Sequence, residues 1–92
     1  MSYRIEIGRR AQSQLAGLPR SVRLRFEQHI GALAHDPRPP GTKALHGALE
    51  PLRSLRVGDY RAIYLVDDEA RIIRLTHIGH RSRVYQDAER EA

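Results

Sequence analysis

Two arginines, Arg56 and Arg61, flank a Gly58-Asp59 pair in the stretch LRVGDYRAIY, from Leu55 to Tyr64. A Gly-Asp dipeptide between runs of β-formers predicts a two-residue hairpin turn. That turn sets Val57 against Tyr60 and Arg56 against Arg61. Like charges facing each other across a strand pair destabilise it. At roughly 5 Å in water the repulsion costs about 0.8 kcal/mol, and more where water is partly excluded. A planar guanidinium fork fits phosphate or carboxylate oxygens. The pair therefore points to an anion that belongs between them.

A second group of reactive side chains follows near the C-terminus, in GHRSRVY. It holds His80, Arg81, Arg83 and Tyr85. Histidine exchanges protons near neutral pH, and a tyrosine can do so only when its surroundings favour the phenolate. The histidines show no metal-ligand spacing with carboxylates, so no metal and no cofactor is expected. There is no glycine-rich phosphate loop and no serine nucleophile motif. The acidic run Asp67–Glu69 reads as a turn. Arg9, Arg10, Arg23 and Arg25 read as solvated helix charges.

Composition narrows the classes. The chain has 92 residues and a formal charge of +5, which suits one basic domain, residues 1–92, facing a polyanion or an acidic protein. Lys43 is the single lysine among 16 basic residues; the other 15 are arginine. There is no cysteine, so disulfides are excluded and a cytoplasmic location is expected. No apolar run approaches the roughly 18 residues of a membrane span, and the N-terminus lacks a signal peptide's apolar segment.

The elements that must carry these residues can be read from periodicity. YRIEI (Tyr3–Ile7) alternates and predicts a strand. GRRAQSQLAGL places Ala11, Leu15 and Leu18 on one helical stripe. SVRLRFEQHIGALAHD repeats Val22, Phe26, Ile30 and Leu33 at helical spacing, with Ser21 as its expected cap. A proline-rich loop leads to strands at Leu52–Val57, Tyr60–Val66 and Arg71–Ile78. The polar tail predicts a frayed helical turn. The order β-α-α-β-β-β predicts an α+β fold, with a helical hairpin on one face of an antiparallel sheet.

Alternation then assigns faces. Leu55, Val57, Tyr60, Ala62, Tyr64 and Val66 face the helices, and His77 is expected with them. With Asp68-Glu69 as the second turn, Arg61 should meet Thr76 and Ile63 should meet Arg74. The other face then gathers Arg56, Arg61, Arg74, Ser54 and Thr76. It also carries Leu52, Ile63, Leu65, Ile72 and Ile78, so the tail or a partner chain must cover part of it.

The stretch Lys43–Tyr85, with LRVGDYRAIY followed by IGHRSRVY, resembles the RelE/ParE superfamily of bacterial toxin–antitoxin toxins. YRIEIGRRAQSQLAGLP extends the likeness to nearly the whole chain, and GHRSRVY is closer to the RelE branch. The resemblance implies a RelE-like fold and a metal-independent, ribosome-dependent endoribonuclease that cuts mRNA in the A site. It also implies a cognate antitoxin partner. By the same resemblance Arg61 would bind the scissile phosphate and Arg81 would stabilise transition-state charge. Tyr85 would sit near the 2′-hydroxyl, with His80 as the alternative proton carrier. Arg56, Arg83, Lys43 and Arg74 would be RNA- or phosphate-binding. Leu52 and Ser54 stand where the best-studied branch has basic residues, and Arg81 and Arg83 compete for one role. Two alternatives follow: a ParE-like poison of DNA gyrase, or a weakened homologue that serves only as an antitoxin's partner.

Overall fold

The computed structural model describes residues 2–91. Strand β1 (Arg4–Ile7) leads into helix α1 (Arg9–Ala16) and helix α2 (Arg20–Leu33). A short strand β2 (Thr42–Ala44) and a 3₁₀ turn follow. Then come β3 (Arg53–Val57), β4 (Tyr60–Asp67), β5 (Ile72–His80) and a closing helix α3 (Val84–Arg90). No helix among the described residues is long and apolar enough to cross a membrane.

The five strands form one sheet in the order β1-β5-β4-β3-β2. The predicted α+β architecture holds, with two additions. First, β1 joins β5 in parallel, with Ile5 opposite Ile73, so the sheet is mixed rather than wholly antiparallel. Second, Thr42–Ala44 forms an edge strand inside what the prolines mark as loop, antiparallel to β3. Pro19 occupies the N-cap of α2 and no side chain caps it, so Ser21 lies inside the helix.

Helices α1 and α2 cover one face. Ala11 and Leu15 of α1, and Phe26, Ile30 and Leu33 of α2, pack on Leu55, Val57, Ala62, Tyr64, Ile73, Leu75 and Ile78. Burying side chains of this kind stabilises by roughly 1.5–3 kcal/mol each. Tyr64 is fully buried, and its hydroxyl donates to the Pro37 carbonyl at 2.8 Å. The tail covers the other face: Val84 and Ala88 of α3 pack with Leu45, Leu49 and Ile63, flanked by Leu52 and Tyr85.

The first hairpin has the predicted register, with Val57 opposite Tyr60 and Arg56 opposite Arg61. Gly58 carries φ +60° and Asp59 does not share it, the pattern of a turn whose first central residue must be glycine. The second hairpin departs from expectation. Its last pair is Asp67 with Ile72, because the turn spans four residues and ends on Arg71 at φ +58°. A bulge between Ile63 and Tyr64 then leaves Thr76 unpaired. Arg61 consequently meets Gly79, not Thr76, and Ile63 meets His77, not Arg74. The bulge also reverses alternation along β5. Ile78 joins the α1–α2 core, while His77, expected there, lies on the α3 side against Glu91.

Candidate nucleic-acid cleft

The cleft begins at the paired arginines. Arg56 of β3 and Arg61 of β4 line a recess of about 220 Å³ with Gly41, Thr42, Lys43 and Ser54. A second recess of about 430 Å³ adjoins it, lined by Lys43, Arg61, His80, Arg81, Ser82 and Tyr85. Lys43 and Arg61 belong to both, so the two recesses are one continuous groove. Four cations from β2, β3, β4 and the β5–α3 turn converge on it.

Arg61, Arg81, Tyr85 and His80 each have an identifiable contact. The Arg61 Nη1 donates to the carbonyls of Gly58 at 2.8 Å and Tyr60 at 2.9 Å. These bonds turn its guanidinium towards the turn and relieve part of its repulsion from Arg56. The Arg81 backbone N–H donates to the Asp59 carbonyl at 2.8 Å, and its Nε lies 3.7 Å from the Asp59 carboxylate. Asp59 therefore acts as an internal anion at the rim. Both members of that pair are largely exposed, so their attraction is weak and displaceable.

Tyr85 enters from α3. Its hydroxyl lies 2.9 Å from Ser54 Oγ, and Ser54 is only 2% exposed. The phenol is thus fixed over β3 beside the arginines. The His80 ring accepts from the Ser82 N–H at 3.2 Å through Nδ1, with Ser82 Oγ at 2.8 Å from the same nitrogen. A backbone N–H can only donate, so the neutral ring carries its proton on Nε2. The edge of His80 meets the Tyr60 ring at 5.6 Å between centroids.

Six of the eight expected site residues meet here: Arg61, Arg81, Tyr85, His80, Arg56 and Lys43. Two do not. Arg74 pairs with Leu65 further along the sheet, and its guanidinium is bonded to Glu6 at 3.1 and 3.2 Å. The longer second turn displaced it from the cluster. Arg83 lines a separate depression with Gln14, Tyr60 and Asp87, on the α1 side of the turn. Of the two arginines that compete for one role, Arg81 lines the groove and Arg83 does not. Sequence reasoning missed Asp59 as the partner of Arg81 and Ser54 as the partner of Tyr85. Alternation did place Ser54 on the Arg56 face, which was the available signal.

Comparison with known proteins identifies the family and the fold. A family model described as the ParE toxin of the type II toxin–antitoxin system parDE matches residues 5–85. Toxin RelE of Mycobacterium tuberculosis is 34% identical over 85 residues, covering 91% of this chain and 87% of that protein. A chain of the archaeal RelE–RelB complex from Pyrococcus horikoshii superposes with a TM-score of 0.78 at 29% identity, covering 91% of this chain and 100% of that one. A chain of the RelBE2 complex of M. tuberculosis also gives a TM-score of 0.78, at 26% identity, over 87% of this chain and 99% of that one. The chain belongs to the ParE toxin family of type II toxin–antitoxin systems, within the RelE/ParE superfamily.

Proposed function

We propose that this toxin arrests translation by cutting messenger RNA in the ribosomal A site, without a metal ion. The supporting observation is the single groove shared by Arg56, Arg61, Lys43, Arg81 and Tyr85. RNA cleavage by transesterification has three requirements. The 2′-hydroxyl must lose a proton and attack in line, the phosphorane must have its charge neutralised, and the leaving 5′-oxygen must gain a proton. Arg56 and Arg61 bracket the space between neighbouring strands, where a phosphate would replace their mutual repulsion with two ion pairs. Arg81 would exchange Asp59 for the equatorial oxygens of the phosphorane. Tyr85, fixed by Ser54, would orient the ribose or stack on a base.

The antitoxin would be a protein of opposite charge. The relatives from P. horikoshii and M. tuberculosis were solved as toxin–antitoxin complexes. An acidic, amphipathic segment would suit the basic groove and the half-buried Leu65 and Ile72 further along the sheet.

The test is primer extension on a cellular mRNA after induction of the toxin, paired with a toeprint on purified ribosomes. Cuts at A-site codons are expected. Growth arrest with intact mRNA and an induced DNA-damage response would favour a gyrase poison. That second reading is supported by the ParE description of the matching family model. A wild type that never arrests growth would reduce the protein to an antitoxin's partner.

A further inference from the structure

Given the ribonuclease reading, on which this rests, we propose that Lys43 is the general acid of the groove, giving its proton to the departing 5′-oxygen. Lys43 is the only lysine in a chain of 15 arginines. It stands on β2 directly opposite Ser54, the residue that holds the Tyr85 phenol. Only Lys43 and Arg61 line both recesses, so Lys43 stands where the two meet, on the strand next to the one that carries Arg56.

The strand that carries it is firmly seated for its length. Its neighbours are tied to β3 and the residue before it by Arg56 N–H to Gly41 O at 3.0 Å and Leu45 N–H to Leu52 O at 2.9 Å. The Arg53 guanidinium donates to Thr42 Oγ1 at 3.1 Å, and that hydroxyl donates to Pro39 O at 2.7 Å. A three-residue edge strand with ties on both flanks fixes the backbone from which the Lys43 side chain extends.

The other groups are less suited to the task. Guanidinium groups are far weaker acids than an ammonium and keep their protons. The Tyr85 hydroxyl is engaged by Ser54, and His80 lines only the second recess, not the one that holds Arg56. A lysine ammonium is ordinarily protonated at neutral pH, yet it releases its proton at least about a hundredfold more readily than a guanidinium. In the step, the 2′-oxygen forms a bond to phosphorus and the P–O5′ bond breaks. The proton leaving the 2′-hydroxyl passes to solvent, the Lys43 proton passes to O5′, and the amine regains a proton from water. The products are a 2′,3′-cyclic phosphate and a 5′-hydroxyl.

The test compares wild type, Lys43→Arg and Lys43→Met on ribosomes holding one of two mRNAs in the A site. One carries an ordinary linkage; the other carries sulfur in place of the bridging 5′-oxygen, which departs without protonation. Both variants are expected to lose on the order of 10²–10⁴-fold on the ordinary linkage. Lys43→Arg, which keeps the charge, should cut the sulfur linkage within a few-fold of wild type. Wild-type rates for Lys43→Arg on the ordinary linkage would overturn the assignment. So would an equal loss on both linkages, which would make Lys43 a binding residue only. A wild type that cuts neither mRNA would overturn the ribonuclease reading itself, and this assignment with it. Lys43 is exposed, and a thermal melt of each variant separates lost chemistry from lost folding.

Discussion

Ser54 Oγ and the Tyr85 hydroxyl lie 2.9 Å apart, which ties a helix on the second face of the sheet to the strand that carries Arg56. The bond links the packing of α3 to the geometry of the groove. A net contribution of about 1 kcal/mol is expected for a bond of this kind. Ser54→Ala and Tyr85→Phe should each lower stability by that amount, and the double variant should lose little more than either. Urea unfolding of all four proteins gives the coupling. Additive losses would show that the two hydroxyls act independently.

Arg61 should be more sensitive to shape than to charge. Among the described residues its guanidinium hydrogen-bonds only to the Gly58 and Tyr60 carbonyls, so Arg61→Ala and Arg61→Lys should fold normally. Arg61→Ala should lower the cleavage rate on the order of 10²–10³-fold, as expected for removing a fixed donor to developing charge. Arg61→Lys should recover only a minor part, because a point charge lacks the fork. Single-turnover rates with near-wild-type circular dichroism would check both statements.

Asp59 should act against RNA binding. Its carboxylate stands beside Arg81, where a phosphate would sit. Asp59→Asn removes that competitor and one negative charge, so affinity for single-stranded RNA should rise about threefold, in keeping with an exposed ion pair. The gain should shrink in high salt. Fluorescence anisotropy at two ionic strengths measures it, and weaker binding by Asp59→Asn would contradict the competitor role.

The end of the sheet remote from the groove sets the acid sensitivity. The Arg74 guanidinium, and then Arg4, hold the Glu6 carboxyl below its ordinary range. Arg38, and then the Tyr3 hydroxyl, do the same for Asp68. Lowered folded-state values mean that the unfolded chain takes up protons first as pH falls. The stabilisation is therefore complete above the ordinary carboxylate range, near pH 4, and is lost as pH drops through it towards the folded values. Melting temperature should stay level from pH 7 to about 5, then decline. Glu6→Gln should lessen the decline, and salt should lessen it further because both carboxylates are exposed. Scanning fluorimetry across pH 3–7 is the measurement.

Helix α3 should be released by one change at its end. The Glu91 carboxylate spans Arg10 of α1 at 2.7 Å and His77 of β5 at 3.1 Å. Glu91→Ala removes both contacts and should speed amide exchange through residues 84–90 while leaving β3 and β4 protected. Exchange unchanged in that segment would show that Val84, Ala88 and the Tyr85–Ser54 bond hold the helix without Glu91.

The parts legible in the sequence were those where local chemistry fixes geometry. Gly58 settles the first turn, and with it the facing of Arg56 and Arg61. The 3.6-residue stripe of Phe26, Ile30 and Leu33 settles the buried face of α2. The second hairpin was not legible, because its turn ends on an arginine in the left-handed region, which side-chain type does not announce. Strand β2 was too short to show alternation, and that hid how Lys43 reaches the groove. The tail was polar enough to pass for a frayed turn, yet Val84 and Ala88 suffice to seat it on Ile63.

The unpaired Thr76 has a practical consequence for anyone comparing relatives of this toxin. Leu75 and Ile78 belong to the same core although three positions separate them, and His77 points away from it. An alignment that slides a gap across this point would swap interior for exterior along the rest of the strand, and would still look plausible letter by letter. Insertions and deletions near position 76 should therefore be placed by three-dimensional superposition before any residue beyond it, His80 and Arg81 included, is equated with a counterpart.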